Sequence, residues 1–210
     1  MTIAGIVGDF GAGKTSTLTY LLWYNYIRGK KIYANYSLFY PLQFTKIKSI
    51  EEVRDIWHEG IFGADELWFW LNARCSMSKV SKELIRIISR ARKRGNDLLY
   101  TAQTFRQIDV ILRYWTDFIL VPSLNKSGTI CKVEWYYKDN FEKRLYGYMI
   151  RPFKIIAYQP LPIFFLYDHR EEIDIMEEEK PEPKPKKIKP PKPKKIPFKT
   201  QPVDVTWTDL

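Results

Sequence analysis

Residues 8–15 decide the fold of this 210-residue chain, and they read Gly8-Asp9-Phe10-Gly11-Ala12-Gly13-Lys14-Thr15. They fit the pattern GxxxxGK[ST] at every fixed position. Residues 2–7 before them are apolar, and residues 14–28 after them carry Leu18, Leu21 and Leu22 at helical spacing. A strand that passes through a glycine turn into a helix is the context this motif needs. The stretch therefore predicts a phosphate-binding loop between the first strand and the first helix.

The residue types in this loop match the chemistry of a triphosphate. Its glycines let the backbone curl so that successive N–H groups face one anion, and the helix N-terminus adds partial positive charge. Lys14 can reach the β- and γ-phosphates, and the Thr15 hydroxyl can ligate Mg²⁺. A chance glycine turn is the alternative, but both flanks argue against it. The predicted nucleotide-binding residues are Gly8, Asp9, Phe10, Gly11, Ala12, Gly13, Lys14, Thr15 and Ser16.

Two adjacent acidic residues follow the apolar residues 61–64. Residues 61–66 read Ile-Phe-Gly-Ala-Asp-Glu and predict a strand that finishes in Asp65 and Glu66. Asp65 would hold Mg²⁺ through water, and Glu66 would act as general base on the attacking water. A small-molecule kinase needs no such glutamate, so the pair favours ATP hydrolysis. The alternative is a solvated acidic turn, and Gly63 weakens the predicted strand.

Residues 98–103 predict a strand that turns polar at its tip, Gln103. Ligands lie at the carboxyl ends of strands in a parallel sheet. Gln103 could therefore touch the γ-phosphate or the attacking water. A structural role in the following turn is the alternative.

Several arginines are candidates for a role in catalysis. Apolar residues at 80, 84, 87, 88 and 91 predict a helix that stops at Gly95, and its end is basic. Such basic residues ordinarily offset the helix dipole. The functional alternative is an arginine finger that reaches a neighbouring subunit's γ-phosphate, supplied by Arg92 or Arg94. Arg113 is a further candidate.

Strands that alternate with helices predict an α/β fold with a mostly parallel sheet and helices on both faces. Further strands are predicted at 31–36 and 117–121, and a helix capped by Ser49 at 49–57. Residues 129–137 and 145–150 predict a late antiparallel hairpin that turns at 138–140. Trp57, Trp68 and Trp70 are expected to pack in the core.

The composition changes after the predicted ATPase domain, residues 1–170. The formal charge of +10 lies largely in residues 180–200, which hold nine lysines and one glutamate. We expect residues 171–200, acidic and then Lys/Pro-rich, to form a disordered linker because they bury too little apolar surface to fold. The tail fits either nucleic-acid phosphates or an acidic partner. Residues 201–210 are a docking peptide or a frayed terminus.

Other classes of protein are disfavoured by what the sequence contains. Cys75 and Cys131 form no CxxC or Cys/His cluster, so neither zinc nor a disulfide framework is indicated, and a reducing compartment fits. No apolar run approaches the roughly 20 residues that span a bilayer. The first residues show no basic-then-apolar leader, so we expect no signal peptide.

An ordered set of motifs resembles a known superfamily. The set is GDFGAGKT at 8–15, FGADE at 62–66 and RARKRGNDLLYTAQTFRQID at 90–109, followed by Arg113 and Asp117. It resembles the FtsK–HerA superfamily of RecA-like motors. It is most similar to compact viral members, the zonula occludens toxin-type phage assembly ATPases and the genome-packaging ATPases of archaeal viruses. The resemblance covers about residues 2–121, and the glutamine-containing block is its most discriminating part.

This resemblance implies a RecA-like P-loop NTPase fold and Mg²⁺-dependent hydrolysis of ATP. Lys14 and Thr15 belong to its Walker A loop, Asp65 and Glu66 become the Walker B pair, and Gln103 becomes the sensor. It also implies a homo-oligomeric ring, commonly a hexamer, that pulls DNA, double-stranded and without sequence preference, through a pore. Arg92 or Arg94 would act across subunits. The tail lies outside the resemblance, and a capsid or assembly protein is the partner that we expect for it. The host cytoplasm or the virion is the expected location.

Three functions stay open at this point. The first is a DNA translocase for viral genome packaging, which explains the motifs, the arginines and the basic tail. The second is a virion assembly or extrusion ATPase that works with a membrane partner. The third is a nucleotide-dependent switch or a small-molecule kinase, against which the acid pair and Gln103 argue. Stimulation of turnover by DNA, rather than by a nucleoside, distinguishes the first from the third.

Overall fold

The computed structural model describes residues 2–57, 59–70, 79–94 and 96–171. In this part of the chain, eight strands form one sheet in the order β3-β2-β4-β5-β1-β6-β7-β8. The strands are β1 Ile3–Val7, β2 Ile32–Ala34, β3 Thr45–Lys46, β4 Ile61–Ala64, β5 Asp97–Ala102, β6 Phe118–Leu124, β7 Cys131–Tyr137 and β8 Lys154–Tyr158. The helices are α1 Lys14–Tyr26, α2 Ile50–Ile56, α3 Lys79–Lys93, α4 Val110–Trp115, α5 Lys138–Leu145 and α6 Leu161–Phe164.

The first six strands pair in parallel, as the alternation of strands and helices predicts. β5 lies between β1 and β4, with Val7 opposite Ala102 and Ala64 opposite Tyr100. The carboxyl ends of β1, β5 and β4 therefore meet at one edge of the sheet. That edge carries both the glycine loop and the acid pair.

Helices cover both faces of the sheet and bury two separate cores. One core joins α2, α3, α4 and α5 to the sheet through residues such as Val53, Leu84 and Leu112. The other joins α1 and α6 to the opposite face through Leu18, Leu22 and Ile163. Trp57 and Trp70 are buried in the first core, and Trp68 packs against it partly buried. The predicted fold class is thus confirmed, with helices on both faces.

Gly63 lowers the strand propensity of β4, and the packing of α1 accounts for a glycine at this position. A Cβ at this position would lie 2.6 Å from Leu22 Cδ1, far inside normal carbon–carbon contact. The missing side chain lets α1 pack closely against β4. Because α1 begins at the glycine loop, this packing sets the distance between the loop and the acid pair.

The late hairpin prediction is wrong in its second half. Residues 138–145 form helix α5 instead of a turn, and the strand that pairs with β7 is β8, not residues 145–150. Helix α5 buries Phe141 against Tyr136 and Phe105, with ring centroids 5.9 and 6.1 Å away. Asp139 in its first turn and basic residues in its last turn complement the helix dipole. The antiparallel edge itself is present and consists of β6, β7 and β8.

By its contacts the chain divides into a compact unit, Met1–Glu177, and a second unit, Glu178–Leu210. The predicted linker and terminal peptide lie outside the described residues, except for Glu171. Its carboxylate accepts hydrogen bonds from the Ser37 backbone N–H and from Lys46. Gly95, the predicted helix stop, also lies outside the described residues. No helix within the described ranges is both long and apolar enough to cross a membrane.

Candidate nucleotide-binding site

The glycine loop connects β1 to α1 as a tight turn. Gly11 and Gly13 have φ angles of 73° and 90°, in the left-handed region that glycine adopts without steric cost. The Ala12 N–H donates to the Asp9 carbonyl at 3.2 Å and closes the turn. Phe10 at its tip is 79% exposed. The loop therefore faces solvent at the edge where the central strands end.

The Lys14 side chain lies within this loop rather than in solvent. Its ammonium donates to the Asp9 carbonyl at 2.9 Å and lies 5.7 Å from the centre of the Phe10 ring. Burial lowers the pKa of Lys14, while the negative charges of Asp65, Glu66 and Asp9 act to raise it. The Lys14 side chain therefore lies beside the acid pair, where a phosphate could replace the carbonyl contact.

The two predicted Mg²⁺ ligands are in direct contact. Thr15, in the first turn of α1, donates its hydroxyl proton to Asp65 Oδ2 at 2.9 Å, although the residues are 50 positions apart. Hydroxyl, carboxylate and phosphate oxygens are the donors that Mg²⁺ takes, usually with several waters retained. Thr15 and Asp65 therefore fit a magnesium site that a bound triphosphate would complete.

Asp65 is buried, and neighbouring strands hold it from both sides. Asn35, directly after β2, accepts from the Asp65 N–H at 2.7 Å and donates its side-chain amide to the Asp65 carbonyl at 2.9 Å. Thr101 on β5 donates to Asp65 Oδ1 at 2.6 Å. Burial raises the pKa of Asp65, and the hydrogen bonds from Thr101 and Thr15 and the Lys14 charge lower it. Both carboxylate oxygens of Asp65 have hydrogen-bond donors.

Glu66 has an unusual backbone conformation for a glutamate. Its φ of 47° and ψ of 42° lie in the left-handed region, at a cost of about 1–2 kcal/mol for a residue other than glycine. Its N–H donates to the Thr101 hydroxyl at 2.7 Å. Burial, and then the Asp65 charge, raise the pKa of the Glu66 carboxyl, while Lys14 lowers it. A raised pKa makes a carboxylate a better general base, and such strain is concentrated at functional sites.

Gln103 follows the last residue of β5, between the ends of β1 and β4. It lies at the same edge as the loop and the acid pair, and its side chain is half-buried. The turn after it is stabilised by a capping box between Thr104 and Gln107. That box consists of Thr104 and Gln107 alone, and the sensor role of Gln103 stays a prediction.

The arginines lie elsewhere. Arg94 lines a cavity of about 350 Å³ with Lys30, Lys31 and Asp97, at the edge where the strands begin. Arg113 is in the last turn of α4, directly before β6, and its buried Nε lacks a hydrogen-bond partner in the described part of the chain. The side chain of Arg92 lies outside the described residues. Arg94 could therefore reach a nucleotide only in a neighbouring copy, and its role as a finger stays a prediction.

Sequence reasoning missed three residues that support the site. Asn35 and Thr101 fix the acid pair. Tyr158 on β8 donates its hydroxyl to Ser16 at 3.0 Å, lies 3.1 Å from the Thr17 hydroxyl and stacks on Tyr20 with ring centroids 4.4 Å apart. Asn35 was detectable as the first polar residue after an apolar run, the signal that identified Gln103. Tyr158 lacks this signal because it lies on the antiparallel strand β8, where the rule for the carboxyl ends of parallel strands does not apply.

A glycine loop that joins a strand to a helix, a parallel sheet with β5 between β1 and β4, and a threonine hydroxyl on a strand-end aspartate define the P-loop NTPase class with a RecA-like sheet. Comparison with solved structures agrees. The N-terminal domain of zonular occludens toxin from Neisseria meningitidis superimposes with a TM-score of 0.58 at 18% identity, over 80% of this chain and 98% of that one. At this identity the likeness establishes the fold alone.

Two further solved structures are more distant. The genome packaging NTPase B204 from Sulfolobus turreted icosahedral virus 2, in complex with ATP-gammaS, gives a TM-score of 0.47 at 11% identity over 80% of this chain and 96% of that one. The flagellar accessory protein FlaH from Methanocaldococcus jannaschii gives a TM-score of 0.46 at 12% identity, over 65% of this chain and 77% of that one. No family model matches the sequence, and no curated protein matches it significantly.

Proposed function

We propose that this chain is a Mg²⁺-dependent ATPase whose turnover drives DNA translocation, in the packaging of a viral genome. One observation carries the hydrolytic part. The Thr15 hydroxyl lies 2.9 Å from Asp65, with Lys14 and Glu66 at the same edge of the sheet. A metal-bound triphosphate on the loop would meet both the second metal ligand and a carboxylate of raised pKa.

The chemistry divides among these side chains. The loop backbone and Lys14 bind the β- and γ-phosphates. Thr15 and Asp65 would hold Mg²⁺, which would supply positive charge to the transferring phosphoryl group. Glu66 accepts a proton from the attacking water as the bond from water oxygen to phosphorus forms and the β–γ bridge bond breaks. Gln103 orients that water.

The motor part of the proposal is supported by the resemblance of the motif set and by charge. Arg94 is remote from the loop of its own chain, which fits a ring in which it meets the nucleotide of the next copy. The nine lysines of residues 180–200 suit binding to DNA phosphates without sequence preference. Such a machine would work in the host cytoplasm, or with the virion.

Glu66→Gln tests the proposal. It should abolish DNA-stimulated ATP turnover and leave nucleotide binding intact, because the amide cannot take the proton. Lys14→Ala should lose binding as well. Glu51→Gln, an exposed change on α2, is the matched control and should behave as the unchanged protein does.

Turnover retained in Glu66→Gln would remove this residue from the role of general base. Turnover that ignores double-stranded DNA but responds to a nucleoside would replace the motor with a kinase. Size measurement in the presence of an ATP analogue and DNA tests the ring, since a chain that stays monomeric under these conditions cannot present an arginine in trans.

A further inference from the structure

One buried hydroxyl connects the two carboxylate residues of the site. Thr101 is fully buried on β5, two residues before Gln103. Its Oγ1 lies 2.6 Å from Asp65 Oδ1 and 2.7 Å from the Glu66 backbone nitrogen. The carboxylate can only accept, so the hydroxyl proton must point at Asp65. A lone pair of the same oxygen then accepts the Glu66 N–H.

The opposite side of the acid pair is held by Asn35. Its amide forms two hydrogen bonds with the Asp65 backbone, one to the N–H and one to the carbonyl. These bonds position the peptide that leads into Glu66, but they do not reach the Asp65 carboxylate. Thr101 therefore holds the Asp65 carboxylate from β5 and, with the same atom, the Glu66 backbone.

We propose that Thr101 is a positioning residue for hydrolysis, a proposal that rests on the function proposed above. Its hydroxyl orients the Asp65 carboxylate towards Thr15 and Mg²⁺, and it secures Glu66 in the left-handed conformation from which its carboxylate projects. Without the hydroxyl, Asp65 Oδ1 loses the hydrogen bond from Thr101, and the Glu66 N–H loses the Thr101 oxygen as an acceptor. Glu66 then keeps the Phe69 N–H bond to its carbonyl, but it loses the Thr101 bond to its own N–H, which helps to offset the steric cost of its φ of 47°.

Thr101→Val tests this proposal because valine keeps the shape and the strand propensity of threonine but has no hydroxyl. The matched control is Thr116→Val. Thr116 is also buried, and its hydroxyl bonds to Tyr100 at 2.9 Å and to the Leu112 carbonyl at 2.8 Å, at the far edge where β6 begins. The two variants remove the same group from equally buried places.

We expect Thr101→Val to lower ATP turnover per bound nucleotide by about 10- to 100-fold, the usual effect of losing a partner of a metal ligand. Nucleotide binding should stay close to that of Thr116→Val, because the loop and Lys14 are unchanged. The Mg²⁺ concentration at half-maximal turnover should rise, since Asp65 is no longer held. Thr101→Ser should recover most of the turnover, because serine restores the shared oxygen.

Equal turnover and equal Mg²⁺ requirement in Thr101→Val and Thr116→Val would overturn the proposal. So would a Thr101→Ser variant as slow as Thr101→Val, because packing rather than the hydroxyl would then matter. Glu66→Gln, measured beside them, distinguishes the catalytic role of Glu66 from the positioning role of Thr101. If Glu66→Gln turns over normally, the proposed catalytic role fails first; if only Thr101→Val does, the positioning role alone fails.

Discussion

The contact between Gly63 and Leu22 allows a quantitative test of how the fold assembles the site. Gly63→Ala places a methyl carbon 2.6 Å from Leu22 Cδ1, 3.1 Å from Cδ2 and 3.2 Å from Cγ. Carbon atoms normally approach to about 3.5–4.0 Å, so α1 or the Leu22 side chain must move by roughly 1 Å. Leu22 is fully buried, and protein cores are close-packed, so a shift of its side chain displaces other core residues.

The expected cost follows from this overlap. An extra methyl group in a packed core usually destabilises a protein by about 1–3 kcal/mol. Leu22→Ala alone should cost about 2–5 kcal/mol because it leaves a cavity. The double variant should cost less than the sum of the two, since the new methyl group then occupies the vacated volume. We expect a coupling of about 1–3 kcal/mol, within the range seen for residues in contact.

Urea unfolding of the unchanged protein, Gly63→Ala, Leu22→Ala and the double variant completes a double-mutant cycle and measures this coupling. With a slope near 2 kcal/mol per molar urea, Gly63→Ala should lower the midpoint by roughly 0.5–1.5 M and leave the slope unchanged. ATP turnover of the folded Gly63→Ala protein should also fall, because a displaced α1 lengthens the Thr15–Asp65 contact. Additive free energies would refute the argument that Gly63 sets the approach of α1 to β4.

Two further predictions concern the surroundings of the site. Tyr158→Phe removes the hydroxyl that joins β8 to Ser16 and Thr17, so the free energy of unfolding should fall by about 0.5–1.5 kcal/mol in urea titration; an unchanged midpoint would exclude this support. Replacing the nine lysines of residues 180–200 by glutamine in the full-length chain should weaken double-stranded DNA binding. The slope of log K against log salt should also become shallower, by about 0.9 for each DNA phosphate that the tail no longer neutralises, and an unchanged slope would place the DNA-binding surface elsewhere.

The sequence predicts those parts of the site that depend on local pattern. The glycine loop is continuous in the chain, and its flanks identify the strand and the helix. Asp65 and Glu66 follow an apolar run directly. Because ligands bind at the carboxyl ends of parallel strands, the sequence places these acids at the sheet edge that carries the loop. In the structure a single strand, β5, lies between β1 and β4. The loop after β1 and the acids after β4 are therefore close enough for Thr15 to contact Asp65.

Asn35 and Thr101 escape prediction for a physical reason. Each acts on Asp65 only because β2 and β5 are the neighbours of β4, and strand order is not written in any local window. Thr101 follows the apolar and aromatic residues 98–100 inside β5, where a threonine ordinarily reflects strand propensity. Its role becomes visible only when its oxygen is found between two carboxylate residues.

The wrong half of the hairpin has a similar origin. Residues 145–150 alternate enough to resemble a strand, and residues 138–140 resemble a turn. Burial of Phe141 against Tyr136 and Phe105 favours a helix over 138–145, and those partners are distant in sequence or on another element. The short strand β3 and helix α4 were not predicted because two and six residues give no clear periodicity.

The central claim is that the loop, Thr15 and Asp65 form one site for a metal-bound triphosphate. A crystal structure of the full chain with a non-hydrolysable ATP analogue and Mn²⁺ in place of Mg²⁺ tests it most directly, because the metal gives an anomalous peak. The account predicts a peak beside the Thr15 hydroxyl, within one water of Asp65, with the γ-phosphate against Lys14. A nucleotide bound away from residues 8–16, or a metal peak remote from Asp65, would contradict it.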